Sequence, residues 1–427
     1  MKKCIFSFSL LIIIASSLIS GCQEAVTTNE EEKTTLTLWY WTRSLDDNVI
    51  QQIKEEFPHI TIDAQKIGGD EYKTKVHTSL IADRGPDIVA LNDWASQYLS
   101  YQDRFVNLMD YGAEEIRKEY LDWKWNTVLD PDTGALIALP IDTGPTALYY
   151  RTDLFEEAGL PSDPAEVSAQ LQTWDEYIDA AKQMKETTGV KMFDNLERVF
   201  NQYVEQQPDK FFTEDEEYIG NEGTVREAWE IASQINQLDL TARVVEGQER
   251  NAALNNGDVA SFVGAVWESN ILKDSAPDTA GEWRVARAPG GDGNNGGSFI
   301  GVLNSSDHKE DAVEVIKWLV SSENQLNHYL GVDLFPSAID TLEADELAEQ
   351  DPFYGNQIVT EIFSEAAQNV PITYYGEHYH AFRTMYHEEL AVMERGGKDT
   401  EQAWEDVQKQ AERELSRRTT NGGEEDE

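Results

Sequence analysis

Apolar and polar residues follow two periods near the start of the chain. Alternation with a period of two predicts a strand, because successive strand side chains face opposite sides of a sheet. A period near 3.6 places Val49, Ile53 and Phe57 on one face of a helix, which should end before Pro58. These patterns predict five elements in order: strand 35–39, helix 49–57, strand 60–64, helix 71–82 and strand 87–91.

This alternation of strands and helices is typical of α/β proteins and predicts a mostly parallel sheet with helices on its faces. The pattern continues later in the chain. Thr173 and Glu176 have the spacing of a capping box, which predicts the start of a helix. The apolar stretch 298–303 predicts another strand. A chain of 427 residues exceeds what one hydrophobic core usually serves, so we expect two domains.

The N-terminal segment resembles a secretory signal. Lys2 and Lys3 precede an apolar run over 5–19 that is interrupted only by small residues. Cys22 follows a glycine at the end of this run, which indicates a lipoprotein in which residues 1–21 are removed and Cys22 is lipidated. A transmembrane anchor is the alternative, but it requires about 20 apolar residues.

Charge restricts the partners of this chain. The formal net charge is −46, from 80 acidic and 34 basic side chains. Such a surface repels nucleic acid and anionic lipid, so neither is expected as a partner. Polar, acidic composition predicts a tether over 22–34 and a disordered tail over 419–427. Cys4 lies in the leader and Cys22 would be lipidated, so no disulfide is expected.

Motifs for cofactors and metals give weak signals. Residues 291–296 match the dinucleotide pattern GxGxxG, but a predicted strand follows instead of the helix that would bind a pyrophosphate. His378 and His380 share a face only in an extended segment, whereas His380 and His387 share one only in a helix. Because a closed zinc site needs four fixed ligands, we predict no metal site and no cofactor.

Aromatic residues beside polar ones are the more informative candidates. Trp41 and Trp94 follow predicted strands, where the loops of an open parallel sheet face a ligand crevice. Trp267 lies in a segment with Glu268 and Asn270. Flat rings beside hydrogen-bonding side chains suit a sugar, although a single aromatic residue more often packs in a core. Six further tryptophans in helical patterns are assigned to the core: Trp123, Trp125, Trp174, Trp229, Trp318 and Trp404.

Several motifs together resemble one family. The most specific is 139–160, which contains Leu-Pro, Leu-Tyr-Tyr, Asp-Leu-Phe and Ala-Gly-Leu in that order. Residues 38–41 and 85–89 look like the first and third strands of that family, and 256–267 is similar to its Gly-x-x-Ala and Gly-x-Trp segment. The chain thus resembles the maltose-binding-like extracellular solute-binding proteins of carbohydrate ABC transporters, over nearly all of its length.

The resemblance implies a fold of two α/β lobes with a ligand cleft between them. It assigns 35–143 and 301–335 to an N-terminal lobe, and 147–297 and 340–418 to a C-terminal lobe. The chain would cross between lobes near three positions: 143–148, 297–301 and 333–340.

The resemblance also implies the cleft residues. They are Trp41, Arg43, Asp93 and Trp94 from strand ends, Asp142, Thr143 and Gly144 from the hinge, and Trp267, Glu268, Asn270, Tyr374 and Tyr375 from the second lobe. Trp267 and Trp94 are expected to contribute most.

The implied function is that of a monomeric, non-enzymatic binding protein, held outside the cell membrane by lipid at Cys22. It would deliver an oligosaccharide to ABC permease subunits. A polyamine or peptide remains an alternative solute, since Asp93, Asp142 and Glu268 supply carboxylates. A secreted carbohydrate-active hydrolase is the third hypothesis and would need two placed carboxylates.

Overall fold

The computed structural model describes residues 33–422. The predicted signal at 1–21, the lipidation site Cys22 and the last five residues lie outside this range, as does the predicted tether except for Lys33 and Thr34. Among the described residues, no helix combines the length and apolarity needed to cross a membrane.

Residues 33–422 contain eight strands, most of which are separated by helices. They are β1 (Thr34–Trp41), β2 (Ile60–Ile67), β3 (Ile88–Leu91), β4 (Leu139–Pro140), β5 (Thr146–Arg151), β6 (Ser261–Ala265), β7 (Trp283–Ala286) and β8 (Phe299–Val302). The strands predicted at 35–39, 60–64, 87–91 and 298–303 correspond to β1, β2, β3 and β8. The α/β class predicted from the hydrophobic pattern is confirmed.

Sixteen α-helices complete the described fold. They are α1 (Asp47–Glu56), α2 (Gly69–Ile81), α3 (Asp122–Asn126), α4 (Thr152–Glu157), α5 (Pro164–Gln170), α6 (Trp174–Thr188), α7 (Leu196–Glu205), α8 (Gly223–Gln237), α9 (Gln248–Asn256), α10 (Glu268–Ser275), α11 (Lys309–Leu319), α12 (Ser322–Val332), α13 (Ile339–Leu342), α14 (Val359–Asn369), α15 (Tyr379–Gly396) and α16 (Thr400–Gly422). Short 3₁₀ segments join them, of which Asp93–Arg104 is the longest.

Two sheets form the centres of two lobes. The first sheet has the order β2-β1-β3-β8-β4, and the second has the order β6-β5-β7. We call the layers around them the first lobe and the second lobe. The expected parallel pairing holds for β1 with β2 and with β3, but β8 is antiparallel to β3 and β4, and every pairing in the second sheet is antiparallel.

The direction of each strand relative to the cleft explains these antiparallel pairings. β1, β3 and β4 end at the cleft, whereas β8 begins there, immediately after the chain returns from the second lobe. In the second sheet β5 begins at the cleft and β6 ends there. The prediction of a mostly parallel arrangement was therefore wrong for the strands that start at a crossing.

Three hydrophobic clusters hold the layers together. One surrounds the first sheet, a second joins α6, α7, α8 and α15 with α16, and a third covers the other face of the second sheet. Leu121 and Trp123 belong to this third cluster, and Trp123 Nε1 donates to Ala367 O of α14 at 2.8 Å. These two residues precede the predicted first crossing, yet they pack with the second lobe. The six tryptophans assigned to the core all pack in these clusters.

Helix ends follow the sequence signals in one case and depart from them in another. The Thr173 side chain accepts from Glu176 N and the Glu176 carboxylate accepts from Thr173 N, so the predicted capping box is present at the start of α6. The last helix, α16, extends to Gly422. Residues 419–422 of the predicted tail fall within this helix, and the rest of the predicted tail lies outside the described residues.

Three chain segments cross between the lobes and bond to one another. Thr143 N donates to Phe335 O at 2.7 Å, and its hydroxyl donates to Pro336 O at 3.1 Å. Asn295 N donates to Gly144 O at 2.8 Å. The crossings therefore form one hydrogen-bonded hinge at the base of the cleft. The lobe boundaries taken from the resemblance remain a prediction.

Candidate functional site

A cavity of about 260 Å³ lies between the lobes, directly above the three crossings. The first lobe contributes the ends of β1 and β3 and the segment after β4, while the second lobe contributes the loop after β6. Six of the residues expected in the cleft line this cavity: Trp41, Arg43, Asp93, Asp142, Thr143 and Trp267.

Trp267 is held at the boundary between hinge and cavity. Its Nε1 donates to Asn295 O at 2.8 Å, and the ring is half-buried. Asn270 does not line the same cavity but lines a neighbouring one of about 340 Å³, which shares Trp267 and Asp333 with the first. Trp267 thus presents part of its ring to solvent-accessible space on two sides.

Trp94 occupies a different environment from the one expected. Its side chain is only 8% exposed and belongs to the core of the first lobe. Its ring lies 5.6 Å from the ring of Tyr98 and 6.4 Å from that of Tyr72. The 3₁₀ segment that begins at Asp93 turns the indole back against the sheet, so Trp94 offers little surface to a ligand in this conformation.

Glu268 is also placed inside the second lobe. It is 2% exposed, lies 2.6 Å from Arg198 and 3.2 Å from Arg250, and accepts from Ala265 N at 3.1 Å. Its charge is therefore compensated by protein groups. The geometry gives Glu268 a positioning role at the start of α10.

Gly144 acts through the backbone at the hinge. Its N–H donates to Asn294 Oδ1 at 2.9 Å. A Cβ atom at this position would lie 2.1 Å from Asn295 O, closer than any side chain permits. Glycine is thus required for two crossings to approach each other.

The two neighbouring tyrosines have different surroundings. Tyr375 donates to Glu205 Oε2 at 2.8 Å and lines a small chamber of about 20 Å³ beside the main cavity. Tyr374 donates to Glu216 Oε1 at 2.5 Å and packs against the core of the first lobe. Tyr379, which the sequence analysis did not single out, also lines the chamber and donates to Glu205.

Several cleft residues gave no recognisable sequence signal. Lys124 and Arg383 line the chamber, and Asn295 and Gly296 line both the chamber and the main cavity. Asn295 and Gly296 belong to the loop that matched GxGxxG. That loop is followed by β8, as expected, and it forms the second crossing.

His380, one of the histidines considered as metal ligands, contacts the first lobe instead. His380 Nε2 lies 3.3 Å from Asp93 O across the interlobe contact, and burial lowers the pKa of His380. Arg383, one turn further along α15, lies 3.8 Å from the Asp93 carboxylate. Within residues 33–422, no group of three or more His, Cys, Asp or Glu side chains is arranged to hold a metal ion.

Two further cavities adjoin the cleft, one beside the main cavity and one beside the small chamber. Arg198, Asn201 and His387 line a cavity of about 190 Å³ in the second lobe. A larger cavity of about 490 Å³ separates α2 from α15 on the far side of His380. The cleft is therefore a series of adjoining compartments lined by donors, acceptors and rings.

Comparison with known proteins gives an independent result. The family model described as bacterial extracellular solute-binding protein matches residues 39–326. A lactose-binding protein of Rhizobium radiobacter is 28% identical over 370 residues, which cover 80% of this chain and 84% of that protein. An arabinooligosaccharide-binding protein of Bacillus subtilis (strain 168) is 24% identical over 376 residues, covering 83% and 84%.

Comparison of the fold with solved structures agrees with the sequence comparison. A crystal structure of an extracellular solute-binding protein of family 1 superimposes with a TM-score of 0.86 at 27% identity, covering 89% of this chain and 99% of that one. The family model spans more than half of the sequence and includes the end of β1, all of β3, the first two crossings and Trp267. The chain therefore belongs to the bacterial extracellular solute-binding proteins.

Proposed function

We propose that this protein is the substrate-binding component of an ABC importer and captures an oligosaccharide by lobe closure. The observation that carries the proposal is the compartmented cleft above three hydrogen-bonded crossings. Its walls combine rings, carboxylates, amides and basic groups, which suits a solute with many hydroxyls. Its similarity to lactose- and arabinooligosaccharide-binding proteins supports the same solute class.

Lobe closure provides the signal for transport in this proposal. A solute that contacts both lobes favours the closed form by the free energy of contacts made only there. Trp41 and Asp93 of the first lobe face Trp267 of the second across the main cavity. The permease subunits then recognise the closed shape, and the lipid at Cys22 keeps the protein on the outer face of the cell membrane.

The hydrogen bonds of two cleft carboxylates, Asp142 and Glu205, favour binding over hydrolysis. Asp142 accepts from Ser298 N at 2.6 Å, and Glu205 accepts from the hydroxyls of Tyr375 and Tyr379. A glycosidase needs one carboxylic acid that is free to protonate a leaving group and a second carboxylate placed opposite it. In this cleft, Asp142 and Glu205 are engaged by the protein.

The decisive experiment is isothermal titration calorimetry against neutral oligosaccharides, including lactose and arabinotriose, with spermidine and a tripeptide as contrasting solutes. We expect heat of binding with at least one saccharide, and unchanged saccharide when the mixture is analysed by chromatography after incubation. Binding of spermidine or the peptide alone would favour the alternative solute classes. Release of monosaccharide would establish a hydrolase instead.

A further inference from the structure

Lys124 is a buried lysine at the floor of the cleft. It lies on α3 between two buried tryptophans and is itself 1% exposed. Its Nζ lies 3.6 Å from the centre of the Phe299 ring. A Cβ atom at position 297 would approach Nζ to 2.7 Å, so a glycine there leaves room for the ammonium group.

The Lys124 ammonium group has no hydrogen-bond acceptor among the described residues. The side chain lines the chamber of about 20 Å³, which adjoins the main cavity through Asp93 and Gly296. This volume accommodates one or two atoms of the size of a water oxygen. Because Lys124 lines this chamber, the chamber is suited to an oxygen atom of a solute that is seated in the main cavity and accepts from Lys124.

The charges around Lys124 indicate what kind of oxygen fits. Burial lowers the pKa of Lys124 to about 7, while Asp142 and Asp93 favour its charged form. Arg383 in turn lies 3.8 Å from Asp93. Glu205, on the opposite wall, is 3.5 Å from the buried Lys210. Positive and negative groups are therefore nearly balanced at this point. A neutral hydroxyl oxygen accepts from Lys124 without adding charge, whereas a cationic solute would meet Lys124 and Arg383 directly.

We propose that Lys124 contacts the bound solute, donates to one of its hydroxyl oxygens, and excludes cationic solutes from the cleft. This inference rests on the proposed function, because it assumes that the solute is a saccharide. It assigns to one residue the discrimination between a saccharide and a polyamine.

The test compares Lys124→Met with wild type by calorimetry, using the tightest-binding saccharide of the library above and spermidine. Losing a charge-assisted hydrogen bond should weaken saccharide binding by about 10- to 100-fold. The same change should raise the affinity for spermidine, because it removes a positive charge from the floor of the cleft. Lys54→Met, on the exposed face of α1, is the matched control and should bind as wild type does.

Removing Lys124 leaves Asp142 without its neighbouring cation, so Lys124→Met could fail to fold. The double variant Lys124→Met/Asp142→Asn, compared with Asp142→Asn alone, restores the charge balance and still allows Ser298 N to donate. Melting curves identify the folded variants. The double variant should then bind the saccharide about 10- to 100-fold more weakly than Asp142→Asn alone.

The outcomes separate the two proposals. If folded variants without Lys124 bind the saccharide as tightly as their references, the inference is overturned while the proposed function stands. If they lose saccharide affinity but spermidine still does not bind more tightly, the charge-exclusion part is overturned. If wild-type protein binds no saccharide of the library, both proposals fail.

Discussion

At the scale of single residues, burial distinguishes side chains that look alike in the sequence. Trp94 and Trp267 both follow a strand and both lie beside polar residues. The first packs between Tyr72 and Tyr98, while the second lines two cavities and donates to the hinge. Their expected roles, which the sequence ranked together, are therefore separable by mutation.

Trp267→Ala should weaken saccharide binding by about 1–3 kcal/mol, because a partly exposed stacking surface is lost. Calorimetry on folded protein measures this effect. Trp267→Phe, which keeps a ring but removes the N–H, separates stacking from the bond to Asn295. Unchanged affinity in the alanine variant would show that Trp267 does not contact the solute.

Trp94→Ala should instead lower the free energy of unfolding by about 3–5 kcal/mol, because it empties a large volume in the first-lobe core. Urea denaturation followed by circular dichroism measures the loss. Protein that remains folded should bind the saccharide normally. A stable Trp94→Ala variant with poor affinity would instead support the ligand contact that the sequence analysis expected for Trp94.

His328 links stability to pH. It is fully buried on α12, where Nδ1 accepts from Asp46 N at 3.1 Å and Nε2 lies 3.2 Å from Leu319 O. Burial lowers its pKa from 6.5 to about 4. The neutral ring therefore stabilises the fold above pH 6.5, and this contribution, up to about 3 kcal/mol, is lost as the pH falls toward 4.

The contribution of His328 is measured by comparing the unfolding free energies of wild type and His328→Gln between pH 7 and pH 4. The wild type should lose more stability on acidification than the variant does. His59→Gln, at an exposed histidine, is the control and should follow the wild type. Parallel curves for wild type and His328→Gln would contradict the expected linkage.

At the scale of elements, local signals specified helix starts and strand positions. The capping box at Thr173 begins α6 because two otherwise unpaired N–H groups near the helix start are satisfied by nearby side chains. β1, β2 and β3 likewise follow from their alternating or continuous apolar runs. The direction of β8 did not follow, because strand direction depends on the lobe from which the chain arrives.

Thr173→Ala should lower the unfolding free energy by about 0.5–2 kcal/mol through loss of the side-chain cap. Thr173→Ser keeps the hydroxyl and should retain most of the stability. Chemical denaturation of both variants measures the difference. Equal losses in the two variants would show that the methyl group, and not the cap, matters at this position.

At the scale of the whole molecule, the two lobes already touch in this structure. His380 and Arg383 of α15 lie against Asp93 of the first lobe. Tyr374, after the third crossing, packs on the core of the first lobe. A bound solute that bridges the lobes should decide whether these contacts persist in solution.

We expect the radius of gyration from small-angle X-ray scattering to decrease when saturating saccharide is added. The scattering curve with saccharide should match the structure described here. Arg383 of α15 lies 3.8 Å from the Asp93 carboxylate of the first lobe. Arg383→Ala should therefore enlarge the radius of gyration of the free protein. An unchanged curve for a saccharide whose binding calorimetry has established would contradict capture by closure.

The sequence by itself determined the α/β class, the first strands and helices, the capped start of α6, and six residues that meet in the main cavity. The elements depend on local periodicity, which can be read along the chain, whereas the full set of six residues was implied by the resemblance to a known family. Only the tertiary structure decided that Trp94 and Glu268 turn inward, since their partners Tyr98 and Arg198 come from elements whose packing no local pattern encodes.

The tertiary structure also decided the chemistry of the cleft floor. Lys124, Arg383 and Asn295 reach the cleft from three distant parts of the chain. A lysine between two tryptophans gives no local indication of function, because its importance arises from its burial beside Asp142 and Phe299. Local patterns specify elements, whereas the environment of a charge is a property of the assembled lobes.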